Sequence, residues 1–243
     1  MIRSRTTRRA VAVLLAAVAT LAACGGDDDD AAVDSGDPPA AGTGSGGGSD
    51  DDAGDEPTLT IPEAYLPAIR DLSFEGDPLP ALNGATIEAD PARGRPAPVV
   101  HGVDFDDNPV TIDAATDGPT MVALVAHWCP HCNNEIPRIT ALRDQGRLPA
   151  DLNIVAIATS SEPSRPNFPP GEWLEELDWT WPVIVDDVDL AAGSWVSPQL
   201  FGIDGFPFVV LIDGDGNVAA RWSGESDADE IVARIEEHLG LSV

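Results

Sequence analysis

The sequence predicts an α/β domain in which helices flank a mixed central β-sheet, with a β-hairpin at its N-terminal side. Three observations support this fold class. Short apolar runs alternate with segments of helical periodicity, which indicates parallel strands joined by helices. A hairpin pattern precedes the first buried strand, and a second hairpin pattern follows the last parallel one. Hairpins pair their strands antiparallel, so the sheet is expected to be mixed.

The N-terminal hairpin is predicted from two short strands, Val99–Phe105 and Pro109–Asp113, on either side of Asp106-Asp107-Asn108. Acidic and amide side chains are typical of such a turn. The apolar run Met121–Ala126 then predicts the first buried strand. Its uninterrupted hydrophobicity is expected of a strand covered on both faces.

Helices and strands alternate over the next part of the chain. Glu135–Arg147 carries apolar residues at helical spacing and predicts an amphipathic helix. Leu152–Thr159 is a second buried strand, Gly171–Leu177 a short helix and Trp181–Val185 a third strand. This succession predicts parallel strands with helical crossovers.

The last elements are a hairpin and a helix. Phe208–Asp213 and Asn217–Trp222 are joined through Gly214-Asp215-Gly216, a glycine-rich turn. The amphipathic segment Asp227–Leu239 closes the domain. We therefore place the folded domain at residues 95–243.

The N-terminus has the pattern of an export signal. Arginines 3, 5, 8 and 9 precede the apolar run Ala10–Leu21, which is too short for an ordinary transmembrane span. Leu21-Ala22-Ala23-Cys24 follows and resembles the lipobox of bacterial lipoproteins. This predicts a signal peptide over residues 1–23 and a lipid on Cys24; an ordinary signal peptide with an unrelated cysteine is the alternative.

Two segments separate Cys24 from the domain. Residues 25–56 contain eleven acidic and no basic residues among Gly, Ala, Ser and Pro. Such a composition cannot bury enough apolar surface to fold and predicts a flexible tether over residues 24–56. Residues 57–94 are rich in Pro and Gly with little periodicity, and we assign them only as an extension of the domain.

The charge of the chain excludes some functions. There are 42 acidic residues, 13 arginines and no lysine, giving a net charge of −29. Nucleic-acid binding is not expected, because phosphate contacts need a basic surface. Attraction to anionic lipid is disfavoured for the same reason, so any link to a membrane is expected to be covalent.

Cys129-Pro130-His131-Cys132 is the motif that decides the chemistry. It lies where the first buried strand gives way to a helix, so Cys129 is expected at a helix N-terminus, which lowers the pKa of a thiol. Cys132, one turn later, is placed to close a disulfide with it. The remaining cysteine is Cys24, so this pair is predicted to serve redox chemistry, with His131 as a donor or cation beside the thiolate.

The order of these motifs resembles the thioredoxin superfamily. Trp128-Cys129-Pro130-His131-Cys132, then Glu135-Ile136-Pro137 and later Gly205-Phe206-Pro207 are similar to the extracytoplasmic TlpA/ResA/DsbE group. The resemblance covers about Arg95–Leu239. It implies a thioredoxin-like fold and thiol–disulfide exchange outside the cytoplasm.

The resemblance also implies roles for individual residues. Cys129 would be the attacking thiolate and Cys132 the resolving cysteine. Pro207 matches the cis-proline whose loop docks substrate backbone, with Phe206 before it. Glu135 matches a glutamate proposed to manage protons, the alternative being an exposed acid in the first turn of the helix. Trp128 adjoins Cys129 and is expected to report its redox state.

Two departures from related proteins bear on the direction of exchange. Ala123 occupies the position of the buried aspartate of thioredoxin, six residues before the first cysteine. Pro130-His131 between the cysteines resembles DsbA, a strong oxidant, whereas the surrounding framework resembles reductants. A cation that stabilises the thiolate raises the reduction potential, so the sequence leaves both directions open.

The same residues also bear on other functions. Cys129, Cys132, His127 and His131 include ligand types that suit Cu(I) or Zn, so a copper-binding or other metal-binding chaperone is the alternative function. A peroxidase is disfavoured because Ala126 stands where peroxiredoxins have threonine. A binding module without catalysis does not explain an intact cysteine pair.

The sequence thus predicts a thiol–disulfide oxidoreductase on the extracytoplasmic face of a bacterial cell membrane, anchored by lipid on Cys24. Its expected partners are protein thiols or disulfides and a membrane redox protein that recycles the pair. No cofactor and no nucleic-acid partner are predicted.

Overall fold

A computed structural model of the chain describes residues 60–242. The predicted signal peptide, Cys24 and the acidic tether lie outside the described residues.

The described residues form ten strands, five α-helices and two 3₁₀ turns. The strands are β1 (Ser73–Glu75), β2 (Val99–Val103), β3 (Pro109–Ile112), β4 (Thr120–Val125), β5 (Asn153–Ala158), β6 (Val183–Val185), β7 (Val188–Asp189), β8 (Ser194–Trp195), β9 (Phe208–Ile212) and β10 (Val218–Ser223). The helices are α1 (Ala114–Asp117), α2 (Pro130–Asp144), α3 (Pro170–Glu176), α4 (Val196–Phe201) and α5 (Ala228–Leu239). The 3₁₀ turns are Glu63–Ala68 and Ile87–Ala89.

The central sheet has five strands in the order β10-β9-β4-β5-β6. Strands β4, β5 and β6 are parallel, whereas β9 runs antiparallel to β4 and β10 antiparallel to β9. The mixed sheet predicted from the sequence is therefore confirmed. Because the parallel strands share one direction, the loops after β4, β5 and β6 meet at the same end of the sheet. That end carries the cysteine pair.

Side chains of β4 alternate between the two faces of the sheet, and every residue of this strand is buried. Met121, Ala123 and Val125 pack with apolar residues of α2, α3 and α5. Val122 and Leu124 face the hairpin, α4 and the N-terminal extension. The period of two along a strand explains this division, and it gives the domain a core on each side of the sheet.

The N-terminal hairpin is larger than the sequence indicates. Strands β2 and β3 pair antiparallel as predicted, and β1 adds a third strand from the extension, with Phe74 opposite Val100. Strand β1 was not predicted, because its three residues are all exposed and carry no apolar alternation.

The extension is held to the domain by a buried ion pair. Asp90 and Arg221 are both fully buried, and Arg221 Nε donates to Asp90 Oδ2 at 2.8 Å. The guanidinium also donates to the carbonyls of Phe201 (2.6 Å) and Pro80 (3.0 Å). Arg221 thereby joins β10, α4 and two points of the extension.

None of the helices within residues 60–242 combines the length and the apolarity that crossing a bilayer requires.

Candidate active site

Cys129 caps the N-terminus of α2. Its backbone is extended (φ −79°, ψ 119°), and Pro130 takes the first helical position, where its fixed φ suits the helix and its missing N–H is not needed. The Cys129 carbonyl accepts from the backbone N–H of Asn133 (3.2 Å) and from its side-chain amide (2.8 Å). Cys129 therefore lies at the end of α2 where the unpaired N–H groups of the first turn concentrate positive charge.

Cys132 lies one turn further along α2 and is fully buried, whereas Cys129 is 5% exposed. Both are free thiols in this structure. Burial raises the pKa of the Cys132 thiol, and the neighbouring Cys129 and Glu135 act in the same direction. The two cysteines thus differ in position, because Cys129 lies at the helix end and keeps a small exposed fraction, whereas Cys132 is completely buried.

Glu135 occupies the next turn of the same buried face and is only 1% exposed. The expected alternative, an exposed acid in the first turn, is wrong, because α2 turns this residue towards the core. Its Oε2 accepts from the backbone N–H of Ser226 at 2.6 Å. Burial raises the pKa of Glu135 to about 7, although the Ser226 hydrogen bond and the charges of Arg138 and Arg234 lower it. A carboxyl with this pKa can exchange protons near neutral pH.

The raised pKa of Glu135 predicts a pH-dependent stability. Its pKa in the folded protein lies near 7, against an ordinary 4.5. The stability that protonated Glu135 contributes is therefore complete below pH 4.5 and is lost as the pH rises towards 7. We expect Glu135→Gln, in the reduced protein, to be more stable than the wild type at pH 8 by up to about 3 kcal/mol.

Urea denaturation at pH 4.5 and pH 8 measures this difference. The comparison between the two proteins is needed because burial also raises the pKa of Asp186, to about 6, with the same sign. An equal pH dependence in wild type and variant would show that Glu135 does not titrate in this range.

The loop before β9 lies against Cys129. The peptide bond between Phe206 and Pro207 is cis. Cys129 Sγ donates to the Phe206 carbonyl at 3.5 Å, and the Pro207 carbonyl accepts from the backbone N–H of Gly224 at 2.9 Å. Pro207 is buried and Phe206 half-buried. The structure thus brings together the cysteine and the two residues that the resemblance assigned to substrate docking.

Trp128 bridges this loop and the one after β5. Its ring meets Phe206 edge-on, with the ring centroids 6.0 Å apart. Its Nε1 donates to the carbonyl of Ser160 at 2.7 Å. On the other side, the guanidinium of Arg165 lies 4.5 Å from the ring centroid. Trp128 therefore connects the cis-proline loop with the loop after β5, next to Cys129 in the chain.

The side chain of His131 lies beside Glu225. Its side chain is 62% exposed, and its Nδ1 lies 3.6 Å from a carboxylate oxygen of Glu225. Within residues 60–242, no hydrogen bond joins it to either sulfur. Glu225 also accepts from Asn134 at 2.9 Å and lies 3.8 Å from Arg138. Any positive charge on His131 is thus partly offset by a neighbouring carboxylate.

His127 holds the β5–α3 loop, residues 159–169, against the cysteine motif. The ring is 1% exposed, donates through Nδ1 to the Pro166 carbonyl (2.6 Å) and accepts at Nε2 from the backbone N–H of Glu162 (3.1 Å). Burial lowers its pKa, which agrees with the neutral ring that these two bonds require. Asn167 adds a side-chain hydrogen bond to the His127 carbonyl at 2.9 Å.

These contacts limit the metal-binding alternative. Both ring nitrogens of His127 are engaged by the backbone and are not free to bind a metal. Across residues 60–242, no three His, Cys, Asp or Glu side chains are grouped so that they could hold an ion. Sequence reasoning placed His127 among the candidate ligands, but its partners are 35 to 39 residues away and give no local signal.

Comparison with known proteins identifies the family. The redoxin family model matches residues 75–239, more than half of the chain. The chain belongs to the redoxin family. The match starts within β1, so the family region takes in part of the extension and is longer than the stretch of sequence resemblance.

The chain is also similar to individual proteins. The chain is 30% identical over 169 residues to the thiol:disulfide interchange protein CycY of Rhizobium leguminosarum bv. viciae, an alignment that covers 67% of this chain and 78% of that protein. A thioredoxin family thiol:disulfide interchange protein from Chlorobium tepidum TLS is 25% identical, with a TM-score of 0.48 over 61% of this chain and 99% of that one. A putative DsbE from Chlorobium tepidum is 20% identical, with a TM-score of 0.47 over 61% and 98%.

The thioredoxin-like fold and the assignment to thioredoxin-family thiol–disulfide oxidoreductases are therefore confirmed. The roles of individual site residues stay predictions that rest on the geometry above.

Proposed function

We propose that this redoxin-family protein exchanges disulfides with protein substrates through Cys129 and Cys132, outside the cytoplasm. One observation carries the proposal: the pair begins a helix, with Cys129 at its cap, Cys132 buried one turn below and the carboxyl of Glu135 buried further along the same helix. Disulfide exchange needs one accessible thiolate and one protected thiol that can lose its proton at the right step.

In the reducing direction, the Cys129 thiolate attacks one sulfur of a substrate disulfide. A mixed disulfide forms, and the other substrate sulfur leaves as a thiolate. The Cys132 thiol then gives its proton to Glu135 and attacks the Cys129 sulfur. This releases the second substrate thiolate and leaves the enzyme oxidised.

The oxidising direction uses the same atoms in reverse. A substrate thiolate attacks Cys129 in the enzyme disulfide, and Cys132 leaves and takes up a proton. A second substrate thiol then resolves the mixed disulfide. The cis-proline loop would hold the substrate backbone beside Cys129, since the carbonyl of Phe206 already contacts its sulfur.

The location is proposed from the N-terminal sequence. The arginine-rich start, the apolar run and Leu21-Ala22-Ala23-Cys24 support export and lipid attachment at Cys24. The acidic tether supports a domain held off the outer face of the membrane. A membrane redox partner would return the cysteine pair to its working state. We propose four divisions of the chain. They are the signal peptide (1–23), the lipidated cysteine with the acidic tether (24–56), the Pro- and Gly-rich extension (57–94) and the thioredoxin-like domain (95–243).

The reduction potential of the Cys129/Cys132 couple tests the function and sets its direction. The purified domain is equilibrated in glutathione and dithiothreitol buffers, and its redox state is followed by thiol alkylation and mass. A potential of about −120 to −180 mV makes the protein an oxidant, and one of about −270 mV or below makes it a reductant. A pair that forms no disulfide under any of these buffers contradicts the proposal.

Two variants test how charge sets this potential. His131→Ala is expected to lower it, because any positive charge on a side chain two residues after Cys129 favours the thiolate. Glu225→Gln is expected to raise it, because His131 and Arg138 lose an offsetting carboxylate. Both changes should be below about 30 mV, since the groups are exposed to solvent. Shifts of the opposite sign would contradict this account.

A further inference from the structure

Arg165 places a positive charge over the ring of Trp128, the residue that precedes Cys129. Its guanidinium lies 4.5 Å from the Trp128 ring centroid, and Trp128 contacts Phe206 with 6.0 Å between centroids. The Phe206 carbonyl in turn accepts from Cys129 Sγ. One indole ring therefore separates the arginine from the residues that contact the reactive sulfur.

The position of Arg165 is fixed by its loop. Its backbone N–H donates to the Glu162 carbonyl at 2.9 Å. The same loop is joined to the cysteine motif through the hydrogen bonds of His127 and Trp128 described above. The loop backbone that carries Arg165 thus stands in place before any substrate arrives, which lowers the entropic cost of using this residue for binding.

Arg165 is also available for a ligand. It is exposed, and it forms no salt bridge within residues 60–242, where six other arginines do. Glu162 on the same loop uses its carboxylate to accept from Tyr65 (3.0 Å) and Ser164 (3.1 Å). A guanidinium that lies over an aromatic ring keeps its in-plane N–H donors free, and these match the geometry of a carboxylate.

We propose that Arg165, supported by Trp128, is a specificity-determining residue that binds an acidic side chain of the substrate close to its reactive cysteine. This inference rests on the proposed function and names its substrate class. An extended chain spans about 7–10 Å over two or three residues. We place the carboxylate two or three residues from the substrate cysteine, so that it contacts Arg165 while the cysteine sulfur meets Cys129.

The overall charge of the protein would favour the opposite choice. With 42 acidic residues against 13 arginines, its long-range field attracts basic peptides and repels acidic ones. A preference for acidic substrates that depends on Arg165 would therefore be a local effect, which net charge cannot mimic.

Three synthetic peptides test the proposal. Each carries one cysteine as a mixed disulfide with thionitrobenzoate and differs only in Glu, Gln or Lys three positions from that cysteine. The Cys129 thiolate bonds to the peptide sulfur and thionitrobenzoate leaves as a coloured thiolate. Cys132 then attacks Cys129 and releases the peptide thiol, so the enzyme is oxidised by two electrons and the peptide disulfide is reduced.

The second-order rate constant is measured for the reduced wild type, Arg165→Gln, Arg165→Lys and Arg95→Gln. Arg95 is the matched control because it is exposed, forms no salt bridge in the described part of the chain and accepts from Val218 at the far end of β10. Arg95→Gln changes the net charge by the same amount as Arg165→Gln.

Arg165→Gln is expected to slow the Glu peptide about three- to tenfold and to change the Gln peptide less than twofold. Arg165→Lys should lose part of the effect, because lysine keeps the charge but not the planar donors. Arg95→Gln should leave the ratio of Glu to Gln peptide unchanged.

Two results overturn the inference while the proposed function stands. Equal slowing of all three peptides by Arg165→Gln would show a structural role for Arg165. Equal effects of Arg165→Gln and Arg95→Gln would show a general charge effect. A wild type that reacts with none of the peptides would overturn the proposed function itself, and this inference with it.

Discussion

Serine in place of Cys129 is expected to abolish thiol–disulfide exchange. A hydroxyl does not ionise near neutral pH and cannot form a disulfide, so the helix N-terminus at this position has no thiolate to stabilise. The fold should be kept, since serine is close in size to cysteine and Cys129 retains slight exposure. The reduction of a peptide disulfide, followed by thiol release, measures the loss.

Cys132→Ser is the matched variant for this experiment. It keeps the attacking thiolate but removes the resolving thiol, so mixed disulfides between Cys129 and substrates should accumulate and be visible as adducts by mass. Thiol–disulfide exchange activity that survives in Cys129→Ser would contradict the proposed mechanism. A Cys132→Ser protein that turns over without adducts would show that another group resolves the intermediate.

Arg221→Met is expected to cost about 3–5 kcal/mol of stability, because it leaves the buried carboxylate of Asp90 without its partner. The carbonyls of Phe201 and Pro80 lose donors as well. Urea denaturation measures the free energy of unfolding. The double variant Asp90→Asn/Arg221→Met should cost less than the single one, since it removes the unpaired charge.

Arg70→Met is the control for this prediction. Arg70 pairs with Asp107 at 2.7 Å, but Asp107 is 72% exposed, so the expected cost is below about 1 kcal/mol. Similar losses for Arg70→Met and Arg221→Met would show that burial of the Asp90–Arg221 pair is not what matters. The prediction also implies that a protein lacking the extension, residues 57–94, would be unstable, because Arg221 would lose Asp90.

Local patterns predicted the sheet and the helices that cover one face of it. The strand predicted at Met121–Ala126 is β4, shifted by one residue at each end. Helix α2 begins five residues earlier than its apolar periodicity indicates, because its start is set by the Cys129 cap and Pro130 rather than by hydrophobic spacing. Helix α4 was not predicted, since its six residues include a proline and are too few to show periodicity.

Contacts between distant parts of the chain could not be predicted. Asp90 and Arg221 are 131 residues apart, and each resembles an ordinary surface residue in its own segment. The cysteine pair and the cis-proline were found because their residue types and spacing are specific. Arg165 was not predicted, because a single arginine in a loop belongs to no motif. Its proposed role depends on its contact with the Trp128 ring.

The way the β5–α3 loop is attached has a consequence for how such a protein can change. His127 and Trp128 bind this loop at the Pro166 carbonyl, the Glu162 N–H and the Ser160 carbonyl, which are all backbone atoms. Attachment of this kind does not depend on most of the side chains that the loop carries. Substitutions in this loop can therefore change which substrates bind while the cysteine pair keeps its geometry. Substrate specificity can evolve separately from redox chemistry in such a protein.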